Sequence, residues 1–119
     1  MAGIYIENIY VGFNNKIVLP AGTAAIVSTP FEVRDTTPYT LTCSTLGVGE
    51  EIVVEIYDFS TGLWQNLYAD GILVKFSHQH EQICVKDSSM LLRLSKTITA
   101  SNVGVTMSFS SSNQINYNT

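Results

Sequence analysis

The chain has 119 residues, of which only 13% are charged, roughly half the share usual in globular domains. Its formal net charge is −4, and Lys16, Arg34, Lys75, Lys86, Arg93 and Lys96 are scattered, so no cluster could neutralise a row of phosphates and nucleic acid is not an expected partner. No apolar run approaches the roughly 18 residues of a membrane-spanning helix, so no membrane is expected either.

Residues 1–12 read as an N-terminal strand or contact arm. From Ile4 to Val11 both faces of the segment are apolar, with Ile4 and Ile6 on one side and Tyr5 and Ile9 on the other. A strand apolar on both faces is either central in a sheet or paired outside its own domain. Ile4, Tyr5, Ile6, Ile9 and Tyr10 are therefore the partner-binding candidates. The opening Met1-Ala2-Gly3-Ile4-Tyr5 has no basic segment followed by an apolar core, so the chain is expected to be made and to fold in a cytoplasm.

Residues 13–110 read as one domain, irregular at first. Thr23 to Thr29 is strand-like and stops at Pro30, with Phe31 to Val33 as its continuation. From Tyr39 onward, period-two alternation dominates. Tyr39, Leu41 and Cys43 share a face. Ile52, Val54 and Ile56 oppose Val53, Glu55 and Tyr57; Ile72, Val74 and Phe76 oppose Leu73, Lys75 and Ser77. Ile83 and Val85 oppose Cys84, and Met90, Leu92 and Leu94 oppose Leu91, Arg93 and Ser95. Val103, Val105, Met107 and Phe109 complete the pattern. Gly47 and Gly49, Ser60-Thr61-Gly62, Asp70-Gly71 and Asp87-Ser88-Ser89 supply the turns, and Asp70-Gly71 is the strongest two-residue hairpin signal. Short strands at this spacing predict an all-β, antiparallel β-sandwich, Ig-like or jelly-roll-like, with a small barrel as the alternative. Residues 111–119 are polar and of low complexity and read as a flexible tail.

Two cysteines are too few for a disulfide scaffold, and Cys43 and Cys84 differ in strand phase. Two free thiols are expected, one of them buried.

Catalytic and metal-binding patterns find little support. His78 and His80 alternate on one face beside Glu81, but a zinc site takes three or four ligands and no further ligand stands at a suitable spacing. No serine sits in a Gly-x-Ser-x-Gly elbow, and phosphate-binding glycine loops are absent. Glu50, Glu51, Glu55, Asp58 and Asp70 keep a paired-carboxylate hydrolase open as a reading, although carboxylates near turns are normally solvated surface. No enzyme activity, no cofactor and no metal are expected. Trp64 admits two readings. With Tyr57 and Tyr68 it is either an aromatic platform for sugar stacking in a carbohydrate-binding or adhesion module, or part of the core rim.

Certain runs carry a family likeness: Tyr39-Thr40-Leu41-Thr42-Cys43, Gly49-Glu50-Glu51-Ile52-Val53-Val54-Glu55-Ile56, Gly62-Leu63-Trp64, Asp70-Gly71, Leu91-Leu92-Arg93-Leu94-Ser95-Lys96 and Val103-Gly104-Val105. Across residues 39–109 the chain resembles the small β-sandwich structural proteins of tailed bacteriophages, some of which decorate or cement the capsid. The resemblance implies a virion component, likewise a homo-oligomer, that binds the major capsid protein or other virion subunits and carries no catalytic residues. A surface polar through Ser, Thr and Asn rather than charge fits that expectation, because neutral groups cost less to desolvate than charges.

Overall fold

A computed structural model describes residues 15–35, 37–86 and 88–109, with the side chain of Phe109 outside the description. The expected contact arm, with Ile4, Tyr5, Ile6, Ile9 and Tyr10, and the expected polar tail lie outside the described residues.

Every element among the described residues is a strand. In chain order they are β1 (Asn15–Gly22), β2 (Ile26–Val27), β3 (Phe31–Val33), β4 (Tyr39–Cys43), β5 (Ile52–Asp58) and β6 (Leu63–Asn66). The second half holds β7 (Tyr68–Ala69), β8 (Ile72–Leu73), β9 (Lys75–Phe76), β10 (Gln82–Val85), β11 (Met90–Lys96) and β12 (Val103–Phe109). All pairings among the described residues are antiparallel.

Two sheets face each other as a sandwich, and neither closes into a barrel. One has the order β10-β4-β12-β1. The other centres on the β5–β11 pair; β6 and β9 share the far side of β5, and β2 and β3 share the far side of β11. The core lies between them, and on the regular strands from Tyr39 onward most of its residues are ones that alternation assigns inward. Leu19, Leu41, Val105 and Met107 come from the first sheet, and Phe31, Val33, Ile52, Val54, Phe76, Leu92 and Leu94 from the second. Burying an aliphatic or aromatic side chain contributes about 1.5–3 kcal/mol, so this double layer supplies most of the driving force.

Both outer ranks of the second sheet are interrupted. Between β6 and β9 the chain leaves the sheet at Leu67, forms the β7–β8 hairpin, and returns at Val74. Three bonds close the neck: Leu67 N–H to Val54 O (3.0 Å), Val74 N–H to Leu67 O (2.9 Å) and Val54 N–H to Val74 O (3.1 Å). Asp70 and Gly71 turn the hairpin with φ of 53° and 78°, the positive values that a type I′ turn demands. The expected single strand through Ile72, Val74 and Phe76 is therefore two short ones, and Ile72 is 71% exposed instead of inward. On the other side, Pro30 has no N–H for a ladder and separates β2 from β3. Buried Ser28 repairs the gap: its N–H donates to Leu94 O (2.8 Å), and its Oγ accepts from Leu94 N–H (2.9 Å). The expected strand Thr23–Thr29 shrinks to Ile26–Val27 for this reason.

Strand β1 was not legible as one element. Its pairing with β12 shifts register twice, between Val103 and Val105 and again between Val105 and Thr106. Val18 and Leu19, adjacent in sequence, are both buried, which breaks the alternation by which strands are read. Strand β11 extends one residue beyond the expected Ser95, and that residue is Lys96, only 3% exposed. Its Nζ donates to Ala24 O (2.6 Å), Thr97 O (3.2 Å) and Thr99 Oγ1 (3.3 Å), so the ammonium is fully hydrogen-bonded.

Both cysteines are free; Cys43 is buried and Cys84 exposed. Burial, with Glu81 as a second cause, pushes the Cys43 thiol up to about 11.

Candidate functional site

The two outer faces of the sandwich have unlike chemistry. On the β10-β4-β12-β1 sheet the outward positions are Gln82 and Cys84, Thr40, Thr42 and Ser44, then Thr106 and Ser108, then Asn15 and Ile17. Register places Thr42 between Gln82 and Thr106, and Thr40 between Cys84 and Ser108. None of these residues is charged. Cross-strand contacts tie them together: Gln82 Nε2 donates to Thr42 Oγ1 (3.5 Å), Ser108 Oγ to Asn15 Oδ1 (2.9 Å), and Thr40 Oγ1 lies 3.8 Å from Cys84 Sγ.

A shallow hollow of about 380 Å³ opens on this face beside β1, lined by Ile17, Ala21, Thr42, Ser44, Gly104 and Thr106 among others. Gly104 has no side chain because none fits. A Cβ there would stand 2.8 Å from both Ala21 N and Leu19 O, which the β1 irregularity pushes against β12. The N–H of Gly104 donates to Ser44 Oγ (3.2 Å), fixing the hollow's rim. Ile17, 69% exposed, is its apolar wall.

The opposite face carries aromatic and charged groups. Tyr57 of β5 is paired with Trp64 of β6, their rings 5.2 Å apart at 62°. Phe59 stands edge-on to Tyr57 at 4.8 Å and is 75% exposed. Arg93 places Cζ 4.4 Å over the Trp64 ring, while its Nε donates to Glu55 Oε1 at 2.6 Å. The result is a continuous ladder, Phe59–Tyr57–Trp64–Arg93–Glu55. Cation–π contact and a half-buried ion pair both hold the guanidinium. At the ladder's end, Ser60 donates to Asp58 through its side chain (2.6 Å) and backbone N–H (2.9 Å); with Thr61 these bonds hold the Asp58 carboxyl below its ordinary range.

Of the residues singled out in the sequence for sugar stacking, the structure brings Tyr57 and Trp64 together and gives Tyr68 to the β7–β8 hairpin, in a separate two-stranded sheet. Trp64 is partly buried, with one ring face under Arg93. Phe59 and Arg93 were not foreseen. Phe59 lies in a turn, and Arg93 is placed by pairing with Glu55, which sequence alternation does not reveal. The hydroxyl face was partly legible in Thr40/Thr42 and Thr106/Ser108, but their alignment across strands was not.

His78 and His80 are both exposed, in a tight turn where Ser77 and His80 exchange backbone bonds of 3.0 Å. Among the described residues no three of His, Cys, Asp and Glu converge as metal ligands. No described helix is long and apolar enough to cross a membrane.

No protein-family model matches the sequence, and no curated protein matches it either. Among solved structures, the chain is similar to the crystal structure of SPBc2 prophage-derived protein YomS, with a TM-score of 0.60 and 16% identity. The likeness covers 81% of this chain and 91% of that one. At this identity, what the two share is the fold.

Proposed function

We propose that the chain is a non-enzymatic structural protein of a bacteriophage particle, a capsid decoration or cement-type subunit present in the virion in many copies. The observation that carries the reading is the fold likeness to a prophage-derived protein over most of both chains. The charge-free hydroxyl face supports it. A carboxylate or ammonium must be paired when it is taken out of water, whereas a hydroxyl needs only one hydrogen bond, which a neighbouring subunit's backbone can provide. The partner is the major capsid protein or another virion subunit, met on this face and through the arm holding Ile4, Tyr5, Ile6, Ile9 and Tyr10. Binding selective for the assembled shell stabilises it by mass action, and many copies make modest contacts sufficient.

The test is co-sedimentation with purified particles of the phage whose genome carries the gene. Thr42→Arg with Thr106→Arg places two unpaired charges on the face without touching the core, and a chain beginning at residue 12 removes the arm. Both are expected to lose particle binding while remaining folded. Unchanged binding by both would refute the reading.

A second reading rests on the aromatic ladder. Phe59 and Tyr57 beside Arg93 offer the mixed apolar and hydrogen-bonding surface that carbohydrate-binding or adhesion modules use. Glycan-array binding abolished by Phe59→Ala and Trp64→Ala, with the fold retained, would favour it over the first.

A further inference from the structure

The two edges of the hydroxyl sheet are treated very differently. Edge strand β1 is guarded: it contains Pro20, which has no N–H to offer, its ladder is irregular at two places, and it carries Lys16. These are the devices by which proteins prevent edge-to-edge pairing. Edge strand β10 has none of them. Gln82–Val85 is uncharged, proline-free, and in unbroken register with Tyr39–Thr42.

The backbone on this edge can be assigned. Ser44 N–H donates to Gly104 O, so Thr40, Thr42 and Ser44 direct their backbone groups toward β12. Cys43 N–H donates to Glu81 O, so Tyr39, Leu41 and Cys43 direct theirs toward β10. On β10, Ile83 and Val85 are thus spent on β4, and the N–H and C=O groups of Gln82 and Cys84 point outward. Among the described residues no strand pairs with them there.

We propose that this edge joins a second copy of the chain: two β10 strands pair antiparallel about a two-fold axis at Ile83, making one eight-stranded sheet across a dimer. In that register Gln82 of each copy faces Cys84 of the other, and two such pairs give about four backbone hydrogen bonds. The strand is its own best complement for three reasons. The open edge offers only two outward residues, which an equally short strand satisfies without remainder. Ile83, packed only partly against the core, meets the second Ile83 directly across the axis, in a close non-hydrogen-bonded pair. Glu81 precedes the strand and Lys86 follows it, so antiparallel docking brings unlike charges of the two copies to the same end. This deepens the multi-copy part of the reading above, and self-association is measured apart from particle binding.

Sedimentation of the full chain over a concentration series tests it. The mass is expected to double as concentration rises. Cys84→Pro removes an outward N–H that β4 does not use, so the variant is expected to stay folded and monomeric. If that variant fails to fold, a cross-link decides. Ile83→Cys in a Cys84→Ser background, treated with oxidised glutathione, is expected to give a disulfide-linked dimer, whereas Lys16→Cys in the same background gives none. A wild-type chain monomeric throughout, or a folded Cys84→Pro that dimerises like wild type, overturns the proposal. Loss of particle binding by the face variants with dimerisation intact would speak only to the function reading.

Discussion

Replacing Gly104 by alanine adds one methyl group, and the structure states what that methyl meets. The new Cβ would lie 2.8 Å from Leu19 O, 2.8 Å from Ala21 N and 3.0 Å from Ala21 Cα. All three are backbone atoms, so no side-chain rotation relieves the contact. Carbon and oxygen at rest stand well beyond 3 Å, and β1 must retreat by roughly half an ångström from β12. Overpacking of this kind costs about 1–3 kcal/mol. Against it stands the lost chain entropy of the unfolded glycine, which favours alanine by about 0.4–1 kcal/mol. The clash wins, for a net destabilisation of about 1–2 kcal/mol. At roughly 3–5 °C per kcal/mol for a domain of this size, Tm falls by about 3–10 °C. Thermal and urea unfolding measure the total, and amide hydrogen exchange locates it. Loss of protection is expected in Asn15–Gly22 and in the facing half of β12, while β5 and β11 keep theirs. A variant as stable as wild type, or one loosened equally everywhere, would refute the reasoning.

Lys96→Met keeps the apolar stem but leaves Ala24 O, Thr97 O and Thr99 Oγ1 without their shared donor, so a loss of about 1–3 kcal/mol is expected in urea unfolding. Because the Cys43 thiol rises from 9.0 to about 11 on folding, its contribution is fully present below pH 9 and is lost as pH climbs through 9 to 11; Cys43→Ala should flatten that decline in a pH series of unfolding curves. In the native chain iodoacetamide at neutral pH should modify Cys84 and spare Cys43, as intact mass spectrometry would read, whereas urea exposes both. Arg93→Met uncovers one face of the sole tryptophan, so acrylamide quenching of Trp64 fluorescence should rise; an unchanged quenching constant would mean that the stacked guanidinium does not shield the ring in solution.

Alternation made the inner face of the second half readable residue by residue. Leu41, Ile52, Val54, Leu92, Leu94, Val103, Val105 and Met107 are buried where period two puts them. Asp70-Gly71 announced its turn because few other pairs adopt two consecutive positive φ angles. Legibility failed wherever a local irregularity was repaired from a distance. Val18 and Leu19 face inward together because Val18 is the extra residue at the register shift between the Val105–Leu19 and Thr106–Ile17 pairs. Ser28 is buried because Leu94 N–H needs an acceptor at the break before Pro30. Ile72 leaves the core because the bonds among Val54, Leu67 and Val74 allow a hairpin to be inserted between two edge segments.

The sequence alone therefore determined the all-β class, the inward residues of the regular strands and the low share of charge, since each follows from one residue type or from spacing along the chain. Tertiary structure decided which strands are neighbours. Pairing turned separate Thr and Ser positions into one uncharged face, set Arg93 on Trp64, and, among the described residues, left β10 with an open edge while β1 was guarded. Such properties come from hydrogen bonds between residues distant in sequence, and no local pattern encodes the register of those bonds.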